Sequence, residues 1–333
     1  MSAKPAPLAS VTIGDIKITY LPDGEGHFAP SAVFPTSTEE GWELHRQWLD
    51  EGGQIVSSFG GFLIETGDRK VAVDLAFGDG SVEFPGVGTL AGGRYLDSLK
   101  QTGVSPDQVD TVIYTHMHVD HTGWTAPNGH LTFAEARHVA MAAEWEHWQQ
   151  PDESGTGPVP DTVSALAGRL EPCSDGDTIA PGVTVLATPG HTPGHLSLVI
   201  SSGAARAVIV GDVLHCPAQL PEQEWGVVFD VDPALARRTR DRLMAELEGS
   251  DTTVAASHFP EAVFGRVLAG EGKRGWTAPR RRPSGGLRRS SGRAPPQADE
   301  RRLVGQLCFC RAFLSSSLFM CDRPGMSFSW ARS

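Results

Sequence analysis

The stretch "YTHMHVDHTG" at residues 114–123 sets His116, His118, Asp120 and His121 within six positions, directly after a run of β-formers. At a strand end or in the loop that follows, His116 and His118 can turn the same way, because alternate side chains share a face. Neutral imidazoles and carboxylates are the donors that zinc, iron and related ions prefer. Four donors in six residues exceed the needs of one open catalytic ion, which points to two ions close together. Further donors follow downstream. His191 lies in "TPGHTPGH", where small neighbours let the backbone approach an ion closely. Asp212 ends the apolar run "VIVGDVLH", placed for a carboxylate to bridge two ions, and His258 ends "VAASHFP". Any one of these alone would be an ordinary structural histidine or loop carboxylate. Their joint occurrence, each at the C-terminal end of an expected strand, is what argues for a metal site. His27, His45, His130, His138 and His147 have no such setting and read as structural.

The surrounding text predicts the elements that must hold these groups. Residues 9–20 alternate apolar and polar like a half-buried strand pair, and residues 21–50 read as irregular. Two strand-like runs between 54 and 77 flank "TGD", a hairpin signal. Helical spacing is expected over 91–102, 133–150, 160–169 and 233–248. Strands are expected at 109–115, on both sides of the turn within 182–201, at 206–215 and at 252–260, and a closing hairpin at 264–278. Strands ending in polar residues recur in both halves, suggesting two related sheet-plus-helix halves.

The chain of 333 residues is long enough for a substantial core. No stretch reaches the apolar length of a membrane span, and "MSAKPAPLAS" lacks the apolar core of a signal peptide, so a soluble, cytoplasmic protein is expected. Five cysteines without paired CxxC spacing argue against a disulfide framework, and Cys216 reads as a buried inert thiol. The net charge of −12 is unevenly spread. From Gly272 onward there are 13 Lys+Arg against 3 Asp+Glu, and before it 15 against 37. So acidic a body argues against nucleic acid as a partner. Domain organisation is read as a catalytic unit over 1–278 and a basic, low-complexity tail over 279–333. The Arg/Pro/Ser/Gly text of that tail has no core-forming period. It is expected to be disordered or read out of its native frame, in preference to a basic arm for an acidic partner.

On these motifs the sequence resembles the metallo-β-lactamase superfamily over residues 9–278. Its five motifs occur in order: Asp74 in "VAVDLAFG", then "HMHVDH", His191, Asp212 and His258. The resemblance implies an α/β fold, a four-layer αββα sandwich with the metal site along one edge of the sheets. It implies that His116, His118 and His191 hold one metal ion, that Asp120, His121 and His258 hold the other, and that Asp212 bridges them. Zinc is the first expectation, with iron or manganese as alternatives. Asp74 is expected either to steady the "HMHVDH" loop by hydrogen bonds or to serve as a simple turn former.

The chemistry that follows is hydrolysis by a metal-bridging hydroxide, with Asp120 beside it as proton shuttle. No GxSxG or phosphate loop competes: "FGDGSVEFPGVG" lacks the lysine and the helix that such a loop needs. "GDVLHC" and the loop after His258 resemble the branch of methyl parathion hydrolases and broad-specificity lactonases and arylesterases. Quorum-quenching lactonases of another branch carry tyrosine where this chain has His215. His215 is expected to donate to a leaving oxygen or to cap its loop, and His195 to hold a loop rather than a metal. Phe28, Phe34, Trp42 and Trp124 are expected to form an apolar mouth or ordinary core or dimer contacts. The resulting expectation is a hydrolase of an ester, lactone or phosphotriester, acting on a small molecule, with a homodimer left open. Alternatives are a thioesterase of the hydroxyacylglutathione hydrolase type, a biosynthetic cyclase and an iron oxygenase on the same fold.

Overall fold

A computed structural model of the chain describes residues 2–150, 152 and 154–278. The first half opens with the hairpin β1 (Ala9–Ile13) and β2 (Ile16–Phe28), followed by short helices α1 (Pro30–Val33) and α2 (Glu39–Leu44). Strands β3 (Ile55–Thr66) and β4 (Arg69–Val73) form the expected hairpin, and β5 (Gly80–Phe84) and β6 (Gly88–Gly92) form another. Next come α3 (Tyr95–Gln101), β7 (Thr111–Ile113), α4 (Val119–Thr122), β8 (Arg137–Met141), α5 (Ala142–Trp148), α6 (Pro160–Leu166) and β9 (Leu170–Cys173). The second half runs β10 (Thr178–Ala180), β11 (Val183–Ala187), β12 (Leu196–Ser202), β13 (Ala205–Ile209), α7 (Pro233–Leu247), β14 (Thr253–Ala255), β15 (Phe264–Leu268) and β16 (Gly275–Thr277).

Among the described residues these strands build a 9-stranded sheet in the order β5-β6-β2-β3-β4-β7-β8-β9, with β1 beside β2, and a 7-stranded sheet in the order β10 to β16. Side-chain alternation explains why the sheets stack. In β3 and β4, Phe62, Ile64, Val71 and Val73 point between the sheets, where they meet Val185, Leu198, Ile200 and Ile209 of the second sheet. The intervening Leu63 and Ala72 face outward under Tyr95, Leu99, Trp148 and Leu166 of α3, α5 and α6. Val208 and Val254 likewise face out under Leu243, Met244 and Leu247 of α7, while Ala207 and Ala255 face in. Strands covered on both faces need apolar residues at every position, which is why "VAV", "TVI" and "AVI" read as continuous runs. The result is the helix–sheet–sheet–helix sandwich that was expected. No helix among the described residues is long and apolar enough to cross a membrane. The basic segment 279–333 lies outside the described residues.

Two expectations are corrected. Residues 137–141 form β8, not the start of a helix, and only 142–148 are helical. The run "HVA" is buried and pairs in parallel between β7 and β9, so sheet packing overrides its helical spacing. Residues 21–28, expected to be irregular, continue β2 across a bulge at Asp23. The segment set aside as no phosphate loop holds β5 and the turn into β6, a hairpin at one end of the large sheet.

The bulge has a purpose. Asp23 is fully buried and its carboxylate accepts from the backbone N–H groups of Phe77, Gly78, Gly93, Arg94 and Tyr95 and from Trp124 Nε1, at 2.9–3.1 Å. One side chain thus ties the turn after β4 to the start of α3. A second tie closes the opposite side. Lys4 and Glu261 exchange hydrogen bonds, Ala6 N–H donates to Ser58 Oγ, and Ser58 Oγ–H donates to the Phe259 carbonyl. Asp23→Asn keeps the shape but turns an acceptor into a donor aimed at N–H groups. Denaturant unfolding of the metal-free protein should show a loss of about 2–4 kcal/mol, the cost of orphaning buried donors.

Candidate metal centre

Every donor singled out in the sequence lies just past the C-terminal end of a strand. Asp74 follows β4, His116 and His118 follow β7, and Asp120 and His121 sit in α4. His191 occupies the turn between β11 and β12, Asp212 the turn after β13, and His258 the turn after β14. The two sheets stack so that these ends converge. Ligand atoms of His116, His118 and His191 lie within 4.8 Å of one another, as do those of Asp120, His121 and His258. Two further groupings, His116–His121–Asp212 and His191–Asp212–His215, join these sets.

The outward-facing nitrogens determine the tautomers. Thr115 donates its hydroxyl to Asp74 Oδ2 at 2.8 Å, so its oxygen is free to accept from His116 Nδ1 at 3.1 Å. His121 Nδ1 donates to Asp74 Oδ2 at 2.9 Å, His191 Nδ1 to Asp230 Oδ1 at 2.9 Å, and His258 Nδ1 to the Ser58 carbonyl at 3.0 Å. When neutral, each of these rings therefore turns an Nε2 lone pair inward. His118 turns its Nδ1 inward, 3.1 Å from His116 Nε2 and 3.0 Å from His191 Nε2. His121 Nε2 and His258 Nε2 face each other at 3.2 Å. Lone pairs aimed at one another repel unless a proton or a cation lies between them. The donor set therefore fits divalent metal ions of the zinc type.

Asp212 sits where the two sets meet. Its Oδ1 is 3.3 Å from His121 Nε2 and 3.1 Å from His258 Nε2, and its Oδ2 is 3.4 Å from His191 Nε2 and 3.7 Å from His116 Nε2. Burial pushes its carboxyl up, but His258, His121, His215 and His116 together hold it well below the usual carboxylate range. Burial pulls the imidazoles down. It prevails at His116, His118 and His191, whereas Asp212 and Asp120 hold His121 and His258 above their ordinary value. The centre is thus built to carry positive charge beside two carboxylates.

Asp74 combines both expected roles. Its φ of 57° turns the chain, and its carboxylate accepts from Thr115 N–H at 2.7 Å as well as from Thr115 Oγ and His121. His195 holds a loop, donating Nδ1–H to the Thr188 carbonyl and accepting from Asp212 N–H at 2.9 Å, and burial lowers it to about 4. His215 lies at the rim. Its Nε2 is 3.1 Å from Asp212 Oδ2 at an angle that makes no hydrogen bond, and both ring nitrogens lack a hydrogen-bond partner among the described residues. Cys216 is buried and its thiol is pushed up to about 12, as expected of an inert cysteine. Of the five histidines read as structural, His27 pairs with Asp50, His45 with Glu222, and His138 bridges Tyr114 and the Phe133 carbonyl. Besides Asp23, two buried carboxylates went unsingled in the sequence, Asp230 behind His191 and Glu144 on α5. "FDVDP" reads as a helix start and "AEWEHW" as a helix surface, so neither carried a signal.

The centre opens into a cleft whose space, counted out into the open solvent at its mouth, is about 1010 Å³. Phe28, Phe34, Ile55, Phe59, Phe77, Phe84, Val87, Leu90 and Phe229 form its walls, and His118, Asp120, Asp212 and His258 its floor, with His215 at the floor's rim. No lysine or arginine lines it among the described residues. Phe28 and Phe34 thus take the expected places. Trp42 stands behind, its ring tilted against Trp225 with centroids 4.6 Å apart, and Trp124 is drawn away to Asp23.

Comparison with known proteins gives the same picture. The family described as the metallo-beta-lactamase superfamily matches residues 62–258. An N-acyl homoserine lactonase of a Bacillus species is 28% identical over 202 residues, which cover 56% of this chain and 76% of that protein. The crystal structure of AbOPH, a hydrolase in the beta lactamase superfamily, aligns with a TM-score of 0.70 at 27% identity, covering 81% of this chain and 97% of the other. AidC, a dizinc quorum-quenching lactonase, aligns with a TM-score of 0.71 at 20% identity over 83% and 98% of the two chains, which shows the shared fold.

Gly190, just before His191, has φ 135°, and a Cβ there would meet the Ala236 backbone nitrogen at 2.2 Å. Gly190→Ala should therefore push the His191 turn off α7. Thermal unfolding should fall by about 5 °C or more, as expected for strain of a few kcal/mol in a domain of this size.

Proposed function

This chain belongs to the metallo-beta-lactamase superfamily and is a metal-dependent hydrolase, and from that premise we propose that it cleaves neutral ester-type bonds, in lactones, aryl esters or phosphotriesters, of substrates carrying an apolar group. One observation carries this reading: the cleft leading to the donor cluster is walled by aromatic and aliphatic side chains, with no lysine or arginine among the described residues. An anionic substrate such as a glutathione thioester or a nucleic acid phosphodiester would lose hydration there without gaining a partner. A neutral acyl or aryl group would gain about 0.8 kcal/mol for each buried methylene. The lactonase among the relatives supports the same bond class.

In this reading His116, His118 and His191 hold one divalent ion, Asp120, His121 and His258 the other, and Asp212 reaches both. Zinc is the first choice, the dizinc lactonase of the same fold being in keeping with it. Bound there, the ions supply a hydroxide near neutral pH and polarise the attacked oxygen. The protein's own groups do the rest. Asp120, one-fifth exposed and facing the cleft, takes the proton of the attacking water and returns it to the leaving oxygen. His215, with both nitrogens unengaged at the rim, donates a hydrogen bond to that oxygen. The apolar walls orient the substrate and keep bulk water out.

Metal analysis of the purified protein should find about two ions per chain, in keeping with donor sets of this kind. Asp212→Ala should lose both ions and lower kcat/KM by about a thousandfold or more. In a substrate panel, paraoxon-type triesters, aryl esters and lactones should exceed a glutathione thioester in kcat/KM by about a hundredfold. Preference for the thioester would overturn the reading. His215→Ala should lower kcat by about a hundredfold for poor leaving groups and little for nitrophenolate.

A further inference from the structure

Glu144 is a buried acid that none of the steps above uses. It sits in α5, seven residues long, on a helix that supplies no donor to the metal centre. Its carboxylate makes four hydrogen bonds, two to each oxygen. Oε1 accepts from Met117 N–H at 2.8 Å and from Trp148 Nε1–H at 2.7 Å. Oε2 accepts from Thr192 Oγ–H at 2.6 Å and from Gly194 N–H at 3.1 Å. Met117 stands between His116 and His118, and Thr192 is the residue after His191. The carboxylate therefore joins the two loops that carry the three-histidine set, and it touches neither Asp120, His121 nor His258.

Two neighbours stiffen the joint. Gly194 presses its backbone against the helix: a Cβ there would lie 2.1 Å from Glu144 N and 2.6 Å from its Cα. Trp148, held by the same Oε1, sets its ring edge-on to His118, with centroids 5.4 Å apart. His118 is the one ligand candidate whose outer nitrogen has no hydrogen-bond partner among the described residues. Its orientation rests on packing and on the backbone of its loop, both of which Glu144 controls.

The geometry points to Glu144 as a positioning residue that clamps the His116–His118 loop to the His191 loop and so sets the affinity of the three-histidine site alone. This rests on the dinuclear reading above. A carboxylate suits the task because all its hydrogen-bonding capacity is as acceptor, and every partner here is a donor. A glutamine would set an NH₂ against two of those donors whichever way its amide turned. Its effect on the ion is transmitted through ligand placement, the way outer hydrogen bonds tune a metal site.

The experiment measures the two stepwise zinc affinities of metal-stripped full-length protein by competition with a chromophoric chelator. Wild type is compared with Glu144→Gln and with Thr192→Val, which removes one of the four bonds and leaves the acid in place. Melting temperatures of the metal-free proteins are recorded alongside. Glu144→Gln is expected to weaken one of the two ions by about tenfold to a hundredfold and to leave the other within about threefold. Thr192→Val should weaken the same ion by a smaller factor. A residue that only supports the fold would lower the melting temperature without separating the two affinities. Equal weakening of both ions, or no change in either, overturns the clamp. If Glu144→Gln does not fold, Thr192→Val decides by the same criterion. Wild-type protein that takes up no pair of ions refutes the dinuclear reading itself, which is distinct from a wild type binding two ions beside variants whose affinities stay equal to it.

Discussion

A carboxylate brought into a dry sheet edge must be met by positive charge, and Asp212 imposes that demand on everything around it. At 5% exposure it can be ionised only because imidazoles from three separate turns close on it. Four of those imidazoles cannot move to suit it, since the outer nitrogens of His116, His121, His191 and His258 are committed to Thr115, Asp74, Asp230 and the Ser58 carbonyl. The demand for charge at the centre is thus converted into an ordering of the loops, and the strands supply the spacing.

The same economy recurs at a distance. Asp23, Asp74 and Glu144 are all buried acids whose partners are N–H and O–H groups in neighbouring turns. Turns packed against each other leave backbone donors that no strand can satisfy, and a carboxylate satisfies several at once. A polar scaffold of this kind lies under the centre, while the cleft in front of it is almost wholly apolar. The contrast separates two tasks. Acids and histidines hold charge in place, and phenyl and aliphatic groups select what may approach it.

What could be read from the sequence follows from this division. Strand ends bearing His116, His118, His191, Asp212 and His258 stood out because polar groups break off apolar runs there, and the sandwich followed from the order of those breaks. β8 was hidden because a strand buried on both faces has no period to betray it. Asp23 was hidden because "PDG" has the composition of a turn, and the bulge is recognisable only once its donors arrive from residues 77–95 and 124. The cleft wall was only partly legible. Phe84 and Leu90 come from a hairpin that the sequence did not announce, Phe77 from the turn before it, and Trp124 was diverted by a hydrogen bond that no local pattern foretells.

The tie between Lys4, Ala6, Ser58 and the 259–261 turn has a bearing on how the chain is made. His258 is the last of these donors to leave the ribosome, and the turn behind it is fastened to Lys4, made long before it. Until β14 emerges, β13 lacks its parallel neighbour and ends the second sheet in an open edge. The nascent chain therefore carries an unpaired strand while α7 is being made, an opening for misassembly that the completed fold closes.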